Sequence, residues 1–174
     1  MLIENMSLQD STNVLIRARF GRLACVNDGQ PYITPIYFAY HDSSLYSFSA
    51  VGQKIHWMRS NPLVCAEVEE ISNQQSWSTV IIFGKYEELL DTPEHGAKRQ
   101  RAYDLLQKRP MWWEPASAPL VHAEAVNPSD LVYFRIIIDR VSGRRGLPET
   151  GSAETKSSPE TMLHRLIAKL SGKR

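Results

Sequence analysis

The alternation of apolar and polar positions changes period several times along the chain, and each change marks an element. Residues 8–19 bring Leu8, Leu15 and Ala18 roughly onto one face, with Ser7 placed to cap and Gly21 to release the chain, which predicts a short opening helix. An apolar run at 23–26 follows, and Asn27-Asp28-Gly29 is a hairpin signal because these residues tolerate positive φ. Over 31–40, Tyr32, Thr34, Ile36, Phe38 and Tyr40 alternate with Ile33, Pro35, Tyr37 and Ala39. Both sets are largely apolar, so the pattern predicts a strand covered on both sides, with its ladder interrupted or open at Pro35, which has no amide donor. His41-Asp42-Ser43-Ser44 reads as a turn, and 45–49 as a third strand.

Residues 52–60 have helical chemistry that Asn61-Pro62 stops. Strands are predicted at 63–68 and 76–89, the second with Gly84 as a bulge or close-approach point. Thr92-Pro93-Glu94 reads as the start of a helix whose apolar face carries Ala102, Leu105 and Leu106 and which Pro110 ends. After an irregular segment at 110–130, a strand at 131–140 places Val132, Phe134, Ile136 and Ile138 on one face. Residues 143–157 are rich in Gly, Ser and Thr and read as a polar linker. At 158–174, Met162, Leu163, Leu166, Ile167 and Leu170 predict an amphipathic C-terminal helix. The domain reading is therefore a barrel over 1–142, the linker and that helix. About six short strands joined by tight turns imply an antiparallel sheet that closes into a barrel, a mainly β fold with flanking helices.

Composition narrows the function classes. The 174 residues carry 20 Lys and Arg against 19 Asp and Glu, so no excess of positive charge points to nucleic acid or an acidic membrane surface. No apolar run approaches the roughly 18–20 residues a bilayer span needs. The first ten residues, MLIENMSLQD, lack the pattern of a secretory signal, so a cytoplasmic protein is expected. Cys25 and Cys65 sit in apolar surroundings without ligand spacing and read as small buried hydrophobes. His41, His56, His95, His122 and His164 do not pair at helical spacing, so no metal is expected and they read as surface or hydrogen-bonding residues. No Ser-centred elbow, dinucleotide fingerprint or P-loop occurs.

Ser47-Phe48-Ser49-Ala50-Val51-Gly52-Gln53-Lys54 is different. Hydroxyls end a strand, a glycine follows, and a lysine opens a helix, so a phosphate there meets hydroxyl donors, an ammonium and free amides. Strand-to-helix turns commonly hold Ser, Gly and Lys for structural reasons alone, and both readings stand at this point.

The order of the pieces adds a further clue. Arg22-Leu23-Ala24-Cys25-Val26 leads through Asp28-Gly29-Gln30-Pro31-Tyr32 to Pro35-Ile36-Tyr37-Phe38. Then come Leu45-Tyr46-Ser47, Gly52-x-Lys54, Asn61-Pro62-Leu63-Val64 and Val80-Ile81-Ile82-Phe83-Gly84-Lys85. This succession resembles the pyridoxamine 5′-phosphate oxidase-like family of FMN-binding split barrels. Trp112-Trp113-Glu114-Pro115 and Arg135-Ile136-Ile137-Ile138 make it most similar to the branch that includes the nitroimidazole-resistance proteins. The resemblance implies a six-stranded antiparallel split β-barrel and a homodimer with FMN at its interface.

It further implies that Thr34, Pro35, Ile36 and Tyr37 run beside the flavin ring, and that Ser47, Phe48, Ser49, Gln53 and Lys54 surround the phosphate. Thr79 is implied as a polar group near the ring. The chain departs from the B6 oxidases at Thr34, Ala39 and Gln53, where those enzymes carry basic residues, which leaves Lys54 as the chief cation, with Arg22 or a partner's arginine as further candidates. Phe48 stands where nitroimidazole-resistance proteins have a histidine. The resulting expectation is a flavin oxidoreductase moving electrons from a reduced nicotinamide or similar donor to a small acceptor. The alternative is a non-catalytic flavin- or haem-binding protein, with His56 or His122 as the axial ligand in the haem case.

Overall fold

A computed structural model describes residues 1–108 and 131–148. The elements are β1 (Leu2–Asn5), α1 (Leu8–Arg17), β2 (Phe20–Asn27), β3 (Gln30–Tyr37), β4 (Ala39–His41), β5 (Ser44–Ala50), α2 (Gln53–Ser60), β6 (Leu63–Asn73), β7 (Ser76–Glu88), α3 (Gly96–Gln107) and β8 (Leu131–Leu147). Every strand pairing is antiparallel, in the order β3-β2-β6-β7-β8-β5-β4, with β1 added on β8.

The two ends of that order are consecutive in the chain, separated by Phe38 alone. The strand expected at 31–40 therefore forms, but it changes partner at Phe38: it pairs with β2 up to Tyr37 and with β5 from Ala39 on. Phe38 turns fully inward at the changeover, and its amide bonds the Arg19 carbonyl at 2.9 Å. This shared strand closes the sheet into a split barrel. Counting β3 and β4 as one gives the six barrel strands expected, and β1 is an addition that its four residues gave no sign of.

The hairpin turns follow from local chemistry. Asp28 and Gly29 adopt φ of 49° and 76°, and Asp42 and Ser43 adopt 47° and 51°. Ser7 caps α1 by accepting from the Asp10 amide at 3.1 Å. Gly21 does not end that helix, which stops at Arg17; it lies in β2, where a Cβ would press 2.7 Å from the Glu67 carbonyl oxygen. Gly84 is the close-approach point expected: a Cβ would collide with the Ile137 carbonyl, and the β7–β8 register shifts there.

Two other expectations change. The helix signalled by Thr92-Pro93-Glu94 begins at Gly96, because the Thr92 carbonyl first closes a turn with the amides of His95 and Gly96. The last strand does not stop at Arg140. It runs to Leu147, so Gly143, Arg144, Arg145, Gly146 and Leu147 form ladder with β7 and β1 instead of linker. Residues 149–157 of the expected linker, the C-terminal helix, Trp112, Trp113, Glu114, Pro115, His122 and His164 lie outside the described residues.

Two apolar cores result. One fills the barrel with Leu23, Phe38, Leu45, Ile82, Phe134 and Ile136, and α2 seals it with Ile55 and Met58. The other lies outside the barrel under α3, where Ala102 and Leu106 pack on Tyr37, Ala39, Tyr46 and Tyr133. The Arg59 guanidinium ties α2 to β7 through two bonds of 2.7 Å to Glu88. Among the described residues the outer face of β3, β2, β6 and β7 is partly open: Ala24 and Cys65 are half-buried, and the Arg140 guanidinium lies over the Phe83 ring, 4.1 Å from its centroid. Ile33, Ala24, Cys65 and Phe83 are successive cross-strand partners over β3, β2, β6 and β7, with Ile33 66% and Phe83 38% exposed.

Candidate cofactor site

At the split between β3 and β5, three of the residues singled out from sequence meet: Tyr37, Ser47 and Phe48. Ile36 and Tyr37 are buried at the end of β3, and Thr34 is half-buried two positions upstream. The Ser47 hydroxyl donates to the Tyr37 carbonyl at 2.7 Å, which clamps β5 to this strand where the ladder is open. Phe48 packs its ring 6.5 Å from Tyr37 and 5.8 Å from Tyr133. Ser49 donates to its neighbour's carbonyl, that of Ala50, at 2.8 Å. Ser47, with 1% exposure, thus spends its proton inside the fold, and the hydroxyl row is less open as a donor set than its sequence implies. Thr34, whose contact to the Pro35 carbonyl is a marginal 3.5 Å, keeps its hydroxyl largely free.

Gly52, Gln53 and Lys54 follow directly. Gly52 caps α2 with extended backbone and no side-chain bond, so the first amides of the helix keep their donor capacity. Lys54 is half-buried, burial pushes its ammonium below the usual lysine range, and no acid partners it among the described residues. A desolvated cation without a counter-ion is costly unless an anion arrives. Gln53 is exposed beside it.

Other expected groups are placed differently. Arg22 is not a spare cation: its guanidinium pairs with Glu69 at 2.6 Å. Thr79 sits on β7, separated from β3 by β2 and β6, with Glu69 and Arg144 as cross-strand partners, and no hydrogen bond joins it to the β5–α2 group. Arg145 pairs with Glu4 at 2.6 Å. His56 is exposed on α2. Cys25 and Cys65 are free thiols, and burial pushes both above the usual thiol range. Among the described residues no cluster of His, Cys, Asp and Glu has metal-binding form, and no helix is long and apolar enough to cross a membrane.

Arg99 and Tyr133, which lie together beside Phe48, carry no functional signal in the sequence. Arg99 reads as one more polar helix position, and its meeting with Tyr133 is a tertiary event without local signal.

Comparison with known proteins agrees with this architecture. The family model for pyridoxamine 5′-phosphate oxidase matches residues 8–145. An uncharacterized protein of Rhizobium meliloti, RA0666, is 39% identical over 144 residues, 83% of this chain and 95% of that protein. The crystal structure of an FAD-binding protein from Mesorhizobium loti is 44% identical, covers 84% of this chain and 99% of its own, and superposes with a TM-score of 0.70. A candidate 5-nitroimidazole antibiotic resistance protein from Bacteroides thetaiotaomicron shares the fold at 18% identity, with 83% and 89% coverage and a TM-score of 0.60. With barrel, strand order and matched length in accord, the chain belongs to the pyridoxamine 5′-phosphate oxidase-like family.

Proposed function

We propose that the chain is an FMN-binding oxidoreductase that acts as a homodimer in the cytoplasm, moving electrons from a reduced nicotinamide or similar donor to a small acceptor. The observation that carries the reading is Lys54: a half-buried ammonium without an acidic partner among the described residues, at the open start of α2, which follows β5 and its Phe48 directly in the chain. The donor set fits a phosphate, since ammonium and helix amides complement its charge. The apolar and aromatic strand suits a flat ring. The flavin, when bound, supplies the hydride chemistry; the residues hold and orient it and keep water from one of its faces.

Support for a flavin comes from the 44%-identical Mesorhizobium loti protein, which binds FAD. FMN is the form proposed here because one ammonium and one set of helix amides match one terminal phosphate. Support for the dimer comes from the row of Ile33, Ala24, Cys65 and Phe83, whose two ends are exposed among the described residues, an apolar sheet face of the kind that a second copy covers. The haem alternative loses one of its two ligands, because His56 faces solvent.

The experiment is a pair of titrations. Lys54→Ala should weaken FMN at least tenfold while changing riboflavin little, because only FMN has the phosphate. Equal losses for both would place the phosphate elsewhere.

A further inference from the structure

Between α3 and β8 lies a cavity of about 290 Å³ lined by Asp91, Gly96, Arg99, Gln100, Tyr103 and Tyr133. Its position follows from the alternation of β8: Phe134 turns into the barrel, so Tyr133 turns out toward α3. Two side chains there keep unused donor capacity among the described residues. Tyr133 is only 9% exposed, yet its hydroxyl has no hydrogen-bond partner among the described residues. A buried hydroxyl left unpaired is costly, which makes it a place where a ligand gains.

The Arg99 guanidinium lies over the Tyr133 ring, 4.7 Å from its centroid, and one of its nitrogens donates to the Leu89 carbonyl at 3.1 Å. That leaves the other nitrogens, and the charge, without an acid partner among the described residues. Stacking fixes the plane of the fork, as bidentate recognition requires. Asp91, on the same cavity, has no ion pair among the described residues either. Its charge disfavours a dianion and suits a ligand with a hydrogen-bond donor of its own. Tyr103, 41% exposed, supplies an aromatic wall, and Gly96 leaves one side open.

We propose that this cavity binds a small planar carboxylate, its oxygens held by the Arg99 guanidinium and the Tyr133 hydroxyl, with a donor on its ring turned toward Asp91. The site is separate from the Lys54 group and shares one wall with it, since the Phe48 and Tyr133 rings are 5.8 Å apart. It does not depend on which cofactor the chain holds.

The test is calorimetric titration of the purified full-length chain with 4-aminobenzoate. Saturable binding of one molecule per chain is expected. Tyr133→Phe, which keeps the ring under Arg99 and removes only the hydroxyl, should weaken it about tenfold, as loss of a hydrogen bond to a charged group does. Arg99→Met should weaken it further, and the neutral 4-aminobenzamide should bind at least tenfold less tightly than 4-aminobenzoate. Absence of saturable binding to the parent chain would overturn the proposal. So would unchanged affinity in Tyr133→Phe and Arg99→Met with their circular dichroism preserved.

Discussion

At the scale of single residues, stability and binding pull in opposite directions at Lys54. Its ammonium is held below the usual range by burial, so protonating it costs the folded chain more than the unfolded one, and that cost fades as pH rises through the lysine range. Lys54→Met should therefore raise the thermal midpoint of the flavin-free chain while it weakens FMN binding, a trade that a purely structural lysine would not show. Glu88 behaves in the reverse sense. The hydrogen bond from Arg59 is the main reason its carboxyl lies below the usual value, with help from the Tyr86 hydroxyl at 2.8 Å. Its contribution is complete above the unfolded value near 4.5 and is lost as pH falls below it. Glu88→Gln should cost about 1–2 kcal/mol at neutral pH and flatten the acid limb of the stability profile, measured by urea unfolding from pH 7 down to about pH 3. Lys54 was legible in the sequence because a strand-ending hydroxyl run, a glycine and a helix-opening lysine are all local. The commitment of the Ser47 proton was not, since its acceptor lies ten positions upstream and meets it only through barrel closure.

Among the elements, β8 shows where a hydrophobic pattern stops being readable. Its first half alternates Val132, Phe134 and Ile136 inward, and that period identifies it as a strand. Its second half carries Gly143 and Gly146 at buried positions, because Met6 and Ser11 press on the first and the Trp77 indole on the second. With glycine inside and Ser142, Arg144 and Arg145 between, the segment has the composition of a linker and the geometry of a ladder. The short β1 was equally unreadable: four residues become a strand only because β8 offers an edge. Gly84, by contrast, stood out because a glycine inside a long apolar strand requires a reason. Gly84→Ala should destabilise the chain by about 1–3 kcal/mol, read from the urea midpoint, since the Ile137 carbonyl leaves no room for a methyl group. An unchanged midpoint would mean that the two strands separate there at no cost.

For the whole molecule, the single bent strand through Phe38 explains both the barrel and its split. One chain segment serves two ladders, so the gap between β3 and β5 is bridged by the Ser47 hydroxyl rather than by a backbone ladder. The outer face of β3, β2, β6 and β7 carries the apolar row from Ile33 to Phe83, and the proposed dimer buries it with the flavin site at the same interface, since Ile33 lies on β3 next to Thr34. Ile33→Lys combined with Phe83→Glu should convert a dimer to a monomer in light scattering while leaving circular dichroism unchanged, and an unaltered mass would place the interface elsewhere. The resemblance of an ordered set of short motifs made the fold readable, whereas the electron donor and acceptor leave no comparable trace in it. The most direct measurement of all is mass spectrometry of the chromophore released by heating the purified protein. FMN at about one per chain is the expected result. FAD would contradict the single-phosphate reading of Lys54, and haem, or no chromophore at all, would contradict the flavin itself.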